Sequence, residues 1–265
     1  MRLIIPLQFE FSIFPGPVIV TSNCIQEPRK AYADRLYTIN EVGVKNDKVD
    51  HIEFNRDYSN VIDQALTMDG FTKTVEPAKY VTTGYNHRAV LPLANKIIEA
   101  FKSGDLSHIF LIGGCDGSEK DRSYYSDLSI IIPDDCIILT LGCAKNRIIH
   151  NEKLQVAKLP NGLPRLLDMG QCNDSYSAIV VALELAKALN CSVNNLPLSL
   201  VLSHLEQKSA AVLFSLLYLG VQNIRLGPTL PAYISPNILG VLQKDYNLMG
   251  TSNAEEDLTA MMTGN

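Results

Sequence analysis

The stretch IFLIGGCDG, residues 109–117, decides the fold. An apolar run with no polar alternation leads into two glycines, a cysteine, an aspartate and a third glycine. A run this short, bounded by glycine, predicts a strand buried on both faces that ends in a sharp turn. The pattern recurs at 136–143, where CIILTLG runs directly into Cys143, and at 17–24, where PVIVTS precedes Asn23 and Cys24. LSLVLS (198–203) and NIRLG (223–227) add two further strands. Helical patterns fill the intervals at 88–104, 174–190 and 206–220. Continuous apolar strands alternating with helices define an α/β fold, with parallel sheets flanked by helices.

Outward from these elements, residues 40–50 are polar and loop-like, and VEPAKYVTTGYNH (75–87) has the composition of a connection. A boundary near residue 85 divides the chain into a partial α/β domain over 1–85 and a Rossmann-like α/β domain over 86–265. The totals describe an ordinary globular protein: 265 residues, 46% hydrophobic, 19% charged, net charge −5. No basic footprint for nucleic acid exists. The opening MRLIIPLQFEFSIFPGP lacks the apolar core and cleavage site of a secretory signal, so the chain reads as unexported and cytoplasmic. The run AAVLFSLLYLGV (210–221) falls short of the roughly 20 residues that cross a bilayer and reads as a buried helix rather than a membrane span. Six cysteines in such a chain are expected as thiols, ligands or catalysts rather than disulfides.

Three of those cysteines, Cys24, Cys115 and Cys143, fall at the carboxyl ends of predicted strands, where open parallel sheets bind ligands. Cys172, in DMGQCNDSY, lies just ahead of the helix at 174–190, with Asn173 or Asp174 as its N-cap; a helix N-terminus favours thiolate. Glu206 and Lys208 follow the strand at 198–203 and open another helix. Thiols at 24, 115, 143 and 172 with a carboxylate at 206 lack the closely spaced pairs of a zinc ribbon. Soft thiolates with one harder oxygen ligand suit iron-sulfur chemistry in which iron also binds oxygen.

Plainer readings stand beside this one. Cys136 and Cys191 read as small core residues. Cys115 and Cys143 fit either a ligand or a nucleophile, the latter needing a base from among the histidines at 51, 87, 108, 150 and 204. No GxGxxG or Walker string supports a phosphate cradle. Glu206 and Lys208 also fit an ordinary solvated first turn, and RLGPTLPAYISPN (225–237) a rigid connection.

The strings FPGPVIVTSNCI, FLIGGCDGSEKDRSYY, ILTLGCAKNR, LPRLLDMGQCNDSYSAI, LPLSLVLSHLEQK and NIRLGPTLPAYISPN, in that order over most of residues 14–248, resemble the hybrid cluster proteins, also called prismane proteins or hydroxylamine reductases. The resemblance implies a hybrid 4Fe-2O-2S cluster with Cys24, Cys143 and Cys172 as thiolate ligands and Glu206 as the carboxylate ligand. Cys115 would be the ligand able to carry an extra sulfur as a persulfide. Lys208 would sit beside the cluster to position substrate or protons. The implied activity is reduction of a small nitrogen-oxygen substrate, hydroxylamine to ammonia or nitric oxide, with electrons from a redox donor. It sets no oligomeric state.

Three departures from that family follow, the first a connection between Cys143 and Cys172 a few residues longer than the family's, read as a surface-loop change. No CxxC pair occurs, so the family's separate cubane cluster has no counterpart. Upstream of TSNC there is no histidine, and the only glutamate is Glu10, so a histidine and a glutamate ligand have no match. The resemblance therefore covers the C-terminal half of the family alone, which predicts exposed apolar surface near the N-terminus. A cluster-free binding protein is the second reading. A nickel carbon monoxide dehydrogenase relative is the third, and the LEQK string speaks against it.

Overall fold

The computed structural model describes the chain except residues 1–3, 22–26, 42, 74–76, 78, 117–122, 204–206 and 265. Two compact units result, residues 1–79 and 80–265.

The first unit holds helix α1 (Ile4–Ile13), strands β1 (Val18–Val20), β2 (Leu36–Ile39) and β3 (Asp50–Ile52), and helix α2 (Ser59–Thr67). Its three strands form a parallel sheet in the order β1-β2-β3. Tyr37, Ile39, Ile52 and Val61 make a small core. Arg35 is buried and turns its guanidinium onto the Gly16, Phe11 and Ser12 carbonyls, the last two at the C-terminal end of α1. A cation there satisfies carbonyls that the helix leaves without partners. Phe9, Ile13, Phe14 and Ile19 are exposed, in keeping with the apolar surface expected near the N-terminus.

The second unit begins with α3 (His87–Val90) and α4 (Ala94–Ser103) and continues through β4 (His108–Gly114), α5 (Tyr124–Ile131), β5 (Cys136–Gly142) and α6 (Glu152–Val156). It ends with β6 (Leu166–Gly170), α7 (Ser175–Ala188), β7 (Leu198–Ser203), α8 (Gln207–Tyr218), β8 (Ile224–Gly227), α9 (Pro236–Tyr246), β9 (Met249–Gly250) and α10 (Ala254–Thr263). The six strands are parallel throughout, in the order β6-β5-β4-β7-β8-β9. Numbered within the unit this is 3-2-1-4-5-6, the doubly wound Rossmann order, whose direction reverses between β4 and β7.

Alternation along β4 shows why the sequence reads as continuously apolar. Ile109 and Leu111 face a core shared with α4, α7 and α8, whereas Phe110 and Ile112 face one shared with α5 and α10. Both faces are covered, so neither set can be polar. The expected single helix at 88–104 is instead α3, a tight turn at Leu91–Leu93 and α4, because Pro92 removes a helical donor in its middle. The expectation of a buried helix at 210–221 holds for one face alone. Leu213, Leu216 and Leu217 are buried, but Phe214 and Leu219 are half exposed and Tyr218 is 91% exposed, so α8 packs only one face. Among the described residues, no helix is long and apolar enough to cross a membrane.

Candidate metal centre

The register of the sheet gathers the cysteine-bearing turns. Gly114 pairs with Gly142 on one side and with Ser203 on the other, and Leu141 pairs with Gly170. Strands β4, β5, β6 and β7 thus end level, and Cys115, Cys143 and Cys172 all leave from the same carboxyl edge. Cys115 stands at the switch point, its amide donating to Ser203 O at 2.9 Å. Glycines make the exits possible. Gly114, Gly142 and Gly170 all have positive φ, and a Cβ on Gly142 would lie 2.6 Å from Gly114 O and 3.2 Å from Cys172 Sγ.

Around Cys172 the parts converge. It is half-buried in a short turn, Cys172–Asp174, with its sulfur packed against the backbone at Gly142. Lys208, in the first turn of α8, donates from Nζ to Asn173 Oδ1 at 3.3 Å. Cys115 is buried and its thiol bonds Ser209 Oγ at 3.4 Å, one residue beyond Lys208. Cys143 is exposed and opens the turn Cys143–Arg147.

Two expectations are corrected here. Burial is the largest influence on Cys172 and pushes its thiol above the ordinary range, with Cys115 acting in the same direction against the lowering by Lys208 and by the backbone of Cys172 and Cys143. The helix N-terminus therefore does not leave Cys172 a ready thiolate. Nor does Asn173 or Asp174 cap α7 with its side chain. Asp174 accepts from the Gln171 amide at 2.7 Å, Asn173 takes Lys208, and α7 starts without a side-chain cap.

Cys24 and Glu206 lie outside the described residues. The described cysteines, at 115, 136, 143, 172 and 191, are thiols rather than disulfides. Cys136 is buried at the far end of β5, its thiol pushed up to about 11 by burial. Of the histidines, His108 stands at the opposite end of β4 from Cys115 and bonds Ser199, His87 bonds Ser177 and His51 bonds Thr38. No cysteine is among these partners, and His204 lies outside the described residues.

Residues the sequence did not single out complete the edge. Lys145 bonds both carboxylate oxygens of Asp168 at 3.2 and 3.0 Å, and Arg147 pairs with Asp116. Ser209 and Asn173 were equally silent, since a hydroxyl or amide carries no pattern of its own. A pocket of about 20 Å³, bounded by Gly114, Cys172, Ser203 and Ser209, opens beside Cys172. A larger apolar cavity of about 230 Å³ lies between α7, α8 and the sheet and shares Leu141, Ser175, Leu202 and Val212 with it.

Among the described residues, no three His, Cys, Asp or Glu side chains gather tightly enough for a single metal ion. Thiols set out along an edge, on backbone stripped of Cβ atoms, fit instead a polynuclear group broad enough to take ligands from several strand ends.

The second unit is thus a doubly wound parallel sheet with three cysteines at its carboxyl edge. The chain belongs to the prismane/CO dehydrogenase family, whose profile matches residues 6–259. It is 48% identical to the hydroxylamine reductase of Syntrophobacter fumaroxidans over 255 residues, 96% of this chain and 46% of that protein. It is 47% identical to the hydroxylamine reductase of Moorella thermoacetica over 253 residues, 96% of this chain and 57% of that protein. The chain thus spans about half the length of these relatives. Carbon monoxide dehydrogenase IV from Carboxydothermus hydrogenoformans shares the fold, with a TM-score of 0.71 at 16% identity over 93% of this chain and 47% of that one. Family membership supports an iron-sulfur cofactor.

Proposed function

We propose that this chain is the ligand-bearing part of a hydroxylamine reductase, with Cys24, Cys115, Cys143, Cys172 and Glu206 holding a hybrid 4Fe-2O-2S cluster. The single observation that carries the reading is the level ending of β4, β5, β6 and β7, which delivers three of those thiols to one edge. The identity to proteins named hydroxylamine reductase supports the substrate. Nitric oxide, another small nitrogen-oxygen molecule, is the alternative substrate of the same class. A reducing cytoplasm suits a site built on thiols.

Reduction of hydroxylamine breaks its N–O bond with uptake of two electrons and two protons, giving ammonia and water. The bound cluster would supply the electrons, received from a separate redox donor. The chain's own residues handle position and protons. Lys208, steered by Asn173, carries a proton at Nζ beside Cys172 and donates it to the departing oxygen. Ser209 holds the Cys115 sulfur in place.

The test is anaerobic reconstitution with iron and sulfide. The expected result is several irons per chain, a visible spectrum altered by Cys115→Ala and by Glu206→Gln, and hydroxylamine-dependent oxidation of a reduced viologen with ammonia as product. Protein that takes up no iron, or whose spectrum ignores both substitutions, refutes the reading.

A further inference from the structure

The turn Cys143–Arg147 reads CAKNR, and both of its long cations reach sideways. Lys145 crosses to Asp168 on β6, two residues before Gly170 and just ahead of Cys172. Asp168 is 1% exposed, Lys145 13%, and Asp168 Oδ1 also accepts from the Gly170 amide at 2.9 Å. Arg147 crosses the other way to Asp116, the residue after Cys115, with both partners about a quarter exposed. One turn is therefore tied by ion pairs to the loops of both neighbouring cysteines. Ser126 fixes its end from a third side, its hydroxyl donating to Arg147 O at 3.2 Å.

A charge inside an apolar strand is costly to desolvate, and replacing both members of such a pair by uncharged groups is often neutral for stability. The pair in LLDMG thus calls for a reason other than stability. Its geometry supplies one: the chain turns at Gly142 so close to its neighbours that a Cβ there would lie 3.2 Å from Cys172 Sγ and 2.6 Å from Gly114 O, so the turn must be held in register with both flanking loops.

We infer that Lys145 and Arg147 are positioning residues, two ionic clamps through which the Cys143 turn sets the spacing of the Cys115, Cys143 and Cys172 thiols. The clamps act before any inorganic group binds. This rests on the proposed cluster site for its purpose but not for its test.

The test uses the full chain, free of metal, at fixed pH. Iodoacetamide labelling of each cysteine is followed by peptide mass spectrometry, with Cys191 as internal reference. Lys145→Met/Asp168→Asn keeps an acceptor for the Gly170 amide, and Arg147→Gln/Asp116→Asn removes the second clamp. Each double variant is expected to melt within a few degrees of the parent. Labelling of Cys172 in the first variant, and of Cys115 in the second, should rise at least about three-fold relative to Cys191, as expected of local opening. Unchanged ratios in folded variants overturn the inference, as does an equal rise at all cysteines. If the first variant does not fold, the second, whose pair is partly exposed, decides the matter alone. After reconstitution, iron release to a chelator should be faster in the variants. If the parent takes up no iron, the functional proposal falls while the labelling result still stands on its own.

Discussion

Gly114 passes the Ser203 carbonyl so closely that a Cβ on Gly114 would lie 2.0 Å from that oxygen. The contact joins β4 to β7 at the reversal of strand order, and the offending atom is backbone, which cannot swing aside. Gly114 also has φ of +106°. Gly114→Ala is therefore expected to cost at least about 3 kcal/mol or to prevent folding. Gly104, also at positive φ but with nothing within 4 Å, is the control; Gly104→Ala should cost only about 1 kcal/mol. Urea midpoints of the two variants check the contrast, and equal losses would show that the close approach is unimportant.

His108 gives the fold a one-sided pH dependence. Burial lowers its imidazole from 6.5 to about 4, and its Nε2 lies 2.9 Å from Ser199 Oγ. The folded state therefore favours neutral His108. Its contribution is complete above the unfolded value of about 6.5 and is lost as pH falls toward about 4, on the order of 2 kcal/mol by pH 4.5. Urea unfolding of the parent and His108→Gln at pH 7.5 and 4.5 should show the parent losing more stability on acidification.

Asp257 ties α10 to the rest of the second unit. Its carboxylate accepts from Tyr124 OH at 2.8 Å, from Arg225 at 2.9 Å, and from the Ser252 amide and hydroxyl at 2.9 and 3.0 Å. Arg225 is buried and its Nε has no partner among the described residues. Asp257→Ala would strand that cation, at a cost of about 3–5 kcal/mol. Hydrogen exchange should show α10 amides losing protection first, and Arg225→Met added to Asp257→Ala should restore part of the loss.

The apolar cavity between α7, α8 and the sheet predicts a stabilising change. Ala182 lines it from α7, half-buried. Ala182→Leu keeps helix propensity and fills space now empty, and should raise stability by about 1 kcal/mol. A lowered urea midpoint would mean that the cavity has no room to give.

Legibility in the sequence followed the physics of each element. Strands β5 and β7 end where their apolar runs end, because a strand covered on both faces has no polar positions to blur its limits. Strand β6 was missed because Asp168 breaks its run, and the Lys145 contact that makes a charge tolerable there comes from 23 residues away. The positions of Cys115 and Cys143 at the carboxyl ends of β4 and β5 were legible from glycine and cysteine closing apolar runs, whereas Cys172 was legible only as preceding a helix. The ion pairs at Asp116 and Asp168 were not, since they depend on register between strands. Nor was the thiol state of Cys172, where burial outweighs the helix end.

The level strand ends also fix an order of events in the life of the molecule. Cysteines 115, 143 and 172 lie far apart along the chain and become neighbours only when four strands have found one another. This differs from a zinc finger, whose ligands are local and whose metal drives folding. An inorganic group held by these thiols would therefore meet them as neighbours only in a protein whose strands had already paired.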